Sequence, residues 1–89
     1  METHASHPNI VKRLKRVEGH LKAVIEMIQS ERSCLDIAQQ LQAIESAVVQ
    51  AKKTLIHDHI DHCLANVTTS SPRKDHDSVA QFKQITKYL

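Results

Sequence analysis

The stretch SCLDIAQQLQAIESAVVQAKKTLIHDHIDHCLAN, residues 33–66, decides how this chain folds. It contains no glycine or proline, and its apolar residues recur at intervals of three and four, as on one face of an α-helix. It opens on Ser33-Cys34-Leu35-Asp36, a capping-box pattern with aspartate in place of the more usual glutamate. The pattern predicts one helix ending near Asn66, which is long for a chain of 89 residues.

Two further helices are predicted around this long one, which makes the fold class all-α: a three-helix protomer with one long central helix. The first spans roughly residues 8–30, with Pro8 in its first turn. Gly19 lies inside it, where a close packing contact would explain a glycine. Residues 68–73 predict a loop, and the third helix is expected from Asp77 to Tyr88. The first helix carries an apolar stripe of Ile10, Val11, Leu14, Val17, Leu21, Val24, Ile25 and Ile28.

The chain is predicted to be a single domain, residues 1–89, with a flexible, histidine-containing tail at residues 1–8. No apolar run approaches the roughly 20 residues of a membrane span, and no signal peptide is evident, so we expect a soluble, cytoplasmic protein without a membrane partner. The two cysteines do not suggest a disulfide framework. The apolar seam of the long helix exceeds what the shorter first helix can cover, which favours a partner chain.

Basic residues crowd the first quarter of the chain, although the net charge is only +2. This local patch is compatible with a polyanionic partner, and equally with an ordinary solvated helix face. Its members are Lys12, Arg13, Lys15, Arg16 and Lys22.

The segment HDHIDHC, residues 57–63, is the candidate metal site. Residues four apart share a helix face, so the segment divides into three pairs that point in different directions and cannot all bind one ion. His59 and Cys63 are the best pair, because imidazole plus thiolate suits transition metals. The remaining residues of the segment, including His62, are expected beside the site or on the surface.

Two ligands rarely hold a metal tightly, and the other cysteine, Cys34, lies 25 residues before His59. In one continuous helix this separation is roughly 37 Å, so Cys34 cannot join His59 and Cys63 of its own chain. It could join those of a second chain packed antiparallel, which gives two equivalent sites by two-fold symmetry. A metal site therefore predicts a homodimer. The alternative is a solvated polar helix end and a small buried cysteine.

Cys34, His59 and Cys63, set within RLKRVEGHLKAV and CLDIAQQLQAIESAVVQAKKTLIHDHIDHCL, resemble the CsoR/RcnR family of metal-sensing transcriptional repressors. The resemblance covers residues 10–64 well and the third helix loosely. It implies an antiparallel four-helix-bundle dimer, pairing into a tetramer, that binds operator DNA when metal-free and releases it when metal binds. It also implies that Cys34 of one protomer and His59 and Cys63 of the other are the ligands.

The resemblance places a DNA-binding arginine at Arg13 and another basic contact at Lys53. Lys12, Lys15 and Arg16 are expected to contact phosphates of the double-stranded operator by their charge and location. No helix-turn-helix is present, so DNA shape and backbone contacts would dominate recognition.

The choice of metal depends on residues around the ligands. Copper sensors of the family carry a tyrosine before the first cysteine and a glutamate on the third helix, where this chain has Ser33 and Gln81. Nickel and cobalt sensors recruit a further ligand from the N-terminal segment, which here offers His4 and His7. We therefore favour Ni(II) or Co(II), with Cu(I) as the alternative.

Other functions are weighed against this one. A persulfide-sensing or redox-sensing repressor of the same fold would use Cys34 and Cys63, but it would leave His59 without a role. A helical interaction or metal-binding module without DNA binding is the other alternative. An enzyme with a small-molecule substrate is not expected, because no catalytic pocket or phosphate-cradling loop is evident.

Overall fold

The computed structural model describes residues 5–69 and 72–89, and side chains at residues 5–65 and 79–89. Over these residues the chain forms three α-helices, α1 His7–Gln29, α2 Cys34–Thr69 and α3 Pro72–Ile85, followed by a 3-10 turn at Thr86–Tyr88. The predicted all-α class is confirmed, and so is the long central helix, since α2 is continuous over 36 residues.

The start of α2 is fixed by Ser33. The backbone N–H of Asp36 donates to Ser33 Oγ at 3.1 Å, and the N–H of Ile37 donates to the Ser33 carbonyl at 3.1 Å. This is N-capping, in which a hydroxyl satisfies an amide that has no partner inside the helix. The prediction that Ser33 begins the helix is confirmed, and Cys34 consequently occupies its first position.

The turn between α1 and α2 reverses the chain within four residues, 30–33. The N–H of Arg32 donates to the Met27 carbonyl at 3.0 Å, and the N–H of Glu31 donates to the Ile28 carbonyl at 3.1 Å. These two bonds form a Schellman motif, which requires a left-handed residue after the helix. Glu31 fills that position with a φ of 58°, where glycine is the usual residue.

The connection between the second and third helices is shorter than the sequence predicts, and the third helix begins earlier. Helix α2 continues to Thr69 rather than ending near residue 66, and α3 begins at Pro72 rather than Asp77. Proline is favoured at the first turn of a helix because the missing N–H has no partner there anyway. Pro72 therefore starts α3, and residues 70–71 lie outside the described part of the chain.

Residues 8–52, which comprise most of α1 and the first half of α2, form one compact unit. Its core is Val17, Val24 and Ile44. Met27, Ile37 and Ala47 pack against this core. The buried positions of α1, Ile10, Val17 and Val24, recur every seven residues, which is the period of a narrow helix–helix seam.

The rest of the predicted α1 stripe is not buried in the single chain. Val11, Leu14, Leu21, Ile25 and Ile28 are between 43% and 55% exposed. The prediction of a close packing contact at Gly19 is also wrong for the described chain, since a Cβ built there would meet nothing within 4 Å.

The second compact unit comprises residues 1–7 and 53–89. Ser6 is joined to α2 in this unit, because its hydroxyl donates to Asp58 Oδ2 at 2.5 Å and its backbone N–H reaches the same oxygen at 3.4 Å. His7 and Pro8 belong to α1. No helix in the described ranges has both the length and the apolar character that a membrane crossing requires.

We expect Glu31→Gly to stabilise the protein. A left-handed non-glycine residue costs roughly 1–2 kcal/mol, so replacing Glu31 by glycine removes this cost from the folded state. The greater freedom of glycine in the unfolded chain offsets roughly 0.5–1 kcal/mol of the resulting stabilisation. The net gain of about 0.5–1 kcal/mol should raise the midpoint of thermal unfolding by a few degrees, measured at one protein concentration. Glu31→Ala is the matched control, since it removes the same charge but keeps the Cβ. Equal midpoints for the two variants would contradict the strain at this turn.

Candidate metal centre

The three pairs of the segment 57–63 differ in burial as their helical spacing predicts. His57 and Asp61 are exposed. Asp58 and His62 are half-buried, and Asp58 accepts both hydrogen bonds from Ser6. His59 is half-buried and Cys63 is buried. The pair chosen from the sequence is therefore the one that places an imidazole and a thiol on a face withdrawn from solvent.

Cys63 is the most deeply buried potential ligand of this face. Its side chain is only 1% exposed, and it is a free thiol. Desolvation by burial raises the pKa of the Cys63 thiol above its ordinary value of 9.0. A metal ion binding there must displace a proton from a thiol that the fold keeps neutral, so binding through Cys63 releases a proton.

A cleft of about 490 Å³ lies beside His59 within the same compact unit. Its other walls come from α3 and the 3-10 turn, and Gln81 is among them. The structure thus brings together His59 and Gln81, which the sequence had associated only by resemblance. Sequence reasoning did not assign the other residues of this cleft, Gln84, Ile85, Lys87 and Tyr88, to the site, because no pattern of potential ligands links them to His59.

Cys34 lies in the other compact unit, at the start of α2, and is exposed. Within the side chains that the structure describes, no three histidine, cysteine, aspartate or glutamate residues are grouped closely enough to hold a metal ion. Among the described side chains, His59 and Cys63 thus form a pair of donors, and a third ligand from a second chain stays a prediction.

The structure describes one of the two N-terminal histidines. His4 lies outside the described residues. His7 is the first residue of α1, and its Nε2 atom is buried. Ser33, the other residue expected beside the ligands, is exposed and caps the helix that Cys34 opens.

The predicted DNA-binding residues are all exposed. Lys12, Arg13, Lys15 and Arg16 lie on α1, and Arg13 and Arg16 both line a cleft between α1 and α2. Lys53 lies on α2. Sequence reasoning missed His20, which follows Arg16 by one helical turn and lies in the same cleft.

Comparison with known proteins decides the family. A family model for the metal-sensitive transcriptional repressors matches residues 6–88. This chain belongs to that family. Its members are transcriptional repressors and not enzymes, in agreement with the expectation from the sequence.

Several relatives in the family are copper sensors. The copper-sensing transcriptional repressor CsoR of Bacillus subtilis is 34% identical over 80 residues, which cover 88% of this chain and 79% of that protein. The copper-sensing repressor RicR of Mycobacterium tuberculosis is 34% identical over 68 residues, covering 75% of this chain and 71% of RicR. The match to CsoR of Mycobacterium ulcerans, 36% identical over 53 residues, spans 60% of this chain and only 45% of that longer protein.

A solved structure with the same fold is that of the nickel-responsive transcriptional regulator InrS. It superimposes with a TM-score of 0.82, covering 99% of this chain and 97% of InrS, at 24% sequence identity. At this identity the likeness shows the fold alone, in which three helices include a long second helix.

We expect the buried thiol of Cys63 to make the metal-free protein less stable at alkaline pH. The folded chain holds the thiol proton more tightly than the unfolded chain, because burial raises the pKa of Cys63 above 9.0. The contribution of the neutral thiol to the free energy of unfolding is therefore complete below pH 9.0, the ordinary pKa of the thiol. It is lost as the pH rises through the higher pKa of the folded state. The free energy of unfolding, measured with urea between about pH 8 and pH 10.5, should fall more steeply for the wild type than for Cys63→Ala.

Cys34→Ala is the control for this measurement, because it removes a thiol but keeps Cys63. It should retain the pH dependence of the wild type. The same slope in the wild type and in Cys63→Ala would show that the buried thiol does not control alkaline stability.

Proposed function

We propose that this protein is a metal-responsive repressor that binds operator DNA when metal-free and releases it when Ni(II) or Co(II) binds, with Cu(I) as the alternative effector. The observation that carries the proposal is the His59–Cys63 pair, two donors four residues apart on a face withdrawn from solvent. Family membership supports the repressor function. The choice of metal, the ligand set and the mechanism are parts of the proposal.

The third ligand in this proposal is Cys34 of a partner chain. An α-helix turns by about 100° per residue, so positions 34, 59 and 63 of the continuous helix fall within about 40° of one another around its axis. Two such helices packed antiparallel on this face bring the first position of one beside the last turns of the other. Two-fold symmetry then produces two sites, each with two thiols and one imidazole.

The apolar residues of α2 support the same pairing. Leu41, Val48 and Leu55 follow Cys34 at seven-residue intervals, which places them in the same sector of the helix. They are 44%, 43% and 39% exposed in the single chain. An antiparallel dimer would cover them, and the exposed apolar residues of α1 are available for the pairing of dimers into a tetramer.

The preference for Ni(II) or Co(II) is supported by the N-terminal segment. Ser6 is hydrogen-bonded to Asp58, the residue before His59, so Ser6 and the adjacent His7 are held near the turn that carries the candidate ligands. A further imidazole would allow four or more ligands, as these metals require. Cu(I) is the alternative because two sulfurs and one nitrogen already suit it, and because several relatives are named as copper-sensing.

The coupling of metal to DNA would pass through His59 and α3. Capture of the metal needs a deprotonated Cys63 and a neutral His59, so a proton leaves the buried thiol. The second ring nitrogen of His59 is then the group that can orient its surroundings, and Gln81 of α3 lines the same cleft. A change in the orientation of α3 relative to α2 would alter the surface that the protein presents to DNA. A hundredfold loss of operator affinity requires a coupling of only about 2.7 kcal/mol.

DNA binding would depend on the basic residues of α1. Lys12, Arg13, Lys15 and Arg16 are exposed, as is Lys53 of α2. Lysine and arginine contacts to phosphates supply most of the affinity of such complexes and position the protein on the duplex.

Mixed dimers test whether each metal site is shared between two chains. Cys34→Ser and Cys63→Ser homodimers each lack one thiol at both sites, so neither should bind metal tightly. A heterodimer of the two has one site with both defects and one intact site. Unfolding and refolding an equal mixture should therefore restore tight binding at about a quarter of the sites, since half of the random dimers are mixed and each has one intact site of two.

The outcome depends only on how the ligands are divided between chains. If all three came from the same chain, every site in the mixture would remain defective and no binding would return. Anaerobic titration monitored by the thiolate-to-metal charge-transfer absorption measures the fraction restored.

Operator release tests the proposed function itself. A duplex selected from a random-sequence pool by the metal-free protein should lose affinity on addition of one equivalent per site of Ni(II), Co(II), Cu(I) or Zn(II), tested separately without oxygen. The effective metal should produce a loss of about a hundredfold, equivalent to about 2.7 kcal/mol of coupling. His59→Ala should bind the same duplex and fail to release it.

Three results would contradict the proposal. Unchanged affinity with every metal bound would exclude metal-controlled repression. Release by a persulfide donor in the absence of metal, retained in His59→Ala, would instead support the thiol-based alternative. Selection of no duplex would leave a metal-binding module without DNA binding.

A further inference from the structure

The compact unit of residues 8–52 contains a cleft of about 360 Å³ between α1 and α2, separate from the His59 cleft. Arg13, Arg16, Val17 and His20 line it from α1. Ala47 and Gln50 line it from α2. This volume is at the lower end of the range of small-ligand pockets, large enough for one phosphate with its sugar.

The chemistry of the cleft suits an anion. Arg13, Arg16 and His20 follow one another at spacings of three and four, so they lie on one side of α1. Val17 and Ala47, the apolar members of the lining, are less exposed than the two arginines. None of the residues that line the cleft carries a carboxylate. Positive charge beside apolar surface is less screened than charge in open water, which strengthens its attraction for an anion.

The walls of the cleft are held in place by the core and by one polar contact between the helices. Val17 belongs to the core of the unit, and Ala47 packs against that core. His20 Nε2 lies 2.6 Å from Gln40 Oε1, a half-buried contact in which the ring nitrogen donates to the amide oxygen. This contact fixes the imidazole of His20 between the two helices. A preorganised site loses little conformational freedom when it binds.

We propose that this cleft is the seat of one backbone phosphate of the bound DNA. Arg13 and Arg16 donate charge-assisted hydrogen bonds to the phosphate oxygens, and the carboxamide of Gln50 donates from the facing helix. His20 is a positioning residue that keeps the cleft open through Gln40. Lys12 and Lys15 are exposed outside the cleft lining and contact the duplex by charge alone. The proposal rests on the DNA binding proposed above, and it assigns to Gln50 and His20 roles that charge alone does not indicate.

A change of one amide to a carboxylate tests the cleft. Gln50→Glu places a negative charge in the lining, whereas Gln39→Glu makes the same change at an exposed position of α2 outside the lining. The two positions are 11 residues apart, which is roughly 16 Å along the helix and about two Debye lengths at physiological salt. The probe is a mixed-sequence DNA duplex, whose binding depends on phosphate contacts and needs no operator.

The full-length, metal-free protein is used for each measurement of duplex affinity over a series of salt concentrations. Gln50→Glu should bind about tenfold or more weakly, and its plot of log K against log salt should be less steep by about one unit for each phosphate that it no longer neutralises. Gln39→Glu should remain within about twofold of the wild type. Circular dichroism and unchanged metal binding confirm that both variants fold.

The outcomes separate this proposal from the function on which it rests. In one outcome the wild type binds DNA while the two glutamate variants lose affinity equally. This result would overturn the proposed phosphate contact in the cleft and leave the repressor function intact. A wild type that binds no duplex would overturn both. Titration with inorganic phosphate distinguishes a free anion from the DNA backbone. If phosphate shifts the NMR signals of the Gln50 amide and His20, and DNA affinity is the same in both variants, the cleft binds a small phosphate. The proposed DNA contact would then be wrong.

Discussion

An apolar helix face must be covered by other apolar surface, and α2 has more such face than its own chain covers. The first half of the helix packs against α1 through Ile44 and its neighbours. A second sector, with Leu41, Val48 and Leu55, remains between 39% and 44% exposed. Exposed apolar area of this kind marks an interaction surface in proteins of this size. The proposed dimer, and with it the proposed metal site, depends on this exposed apolar surface of α2.

The candidate ligands lie on the same sector of α2 as the uncovered leucines. The helix that must find a partner to bury Leu41 and Leu55 would bring Cys34 to His59 and Cys63 by the same contact. Assembly and metal binding would then be one event, because in the proposed site each protomer supplies only part of the donor set. Because burial raises the pKa of the Cys63 thiol, metal binding at that thiol would also release a proton at neutral pH.

Most of the helical architecture could be predicted from the sequence because the signals are local. Ser33 begins α2 through one hydroxyl, and the period of the apolar residues is visible without any tertiary information. The end of α2 and the start of α3 do not follow from the sequence, because a proline is typical both of a loop and of the first turn of a helix, where Pro72 lies. Gly19 was misjudged because no local pattern tells whether a neighbour approaches a glycine.

The candidate site shows the same division between local and long-range information. Helical spacing divides the crowded segment into three pairs, and the preference of transition metals for imidazole plus thiolate selects His59 and Cys63. In the structure His59 is half-buried and Cys63 is buried. The cleft beside His59 and the His20–Gln40 contact could not be predicted, because each joins residues 20 or more positions apart in the sequence. Only the packing of one helix on another brings such residues together.

The attachment of Ser6 to Asp58 has a practical consequence for work on this protein. Ser6 lies near the amino terminus and is hydrogen-bonded to the helical turn that carries His59. A polyhistidine purification tag at the amino terminus would place several additional imidazoles within a few residues of Ser6, and so near the candidate ligands. Such a tag would compete for the same ions and imitate a nickel preference. The carboxyl terminus is no safer for such a tag, because Lys87 and Tyr88, next to Leu89, line the cleft beside His59. The untagged protein is therefore the form in which metals should be compared.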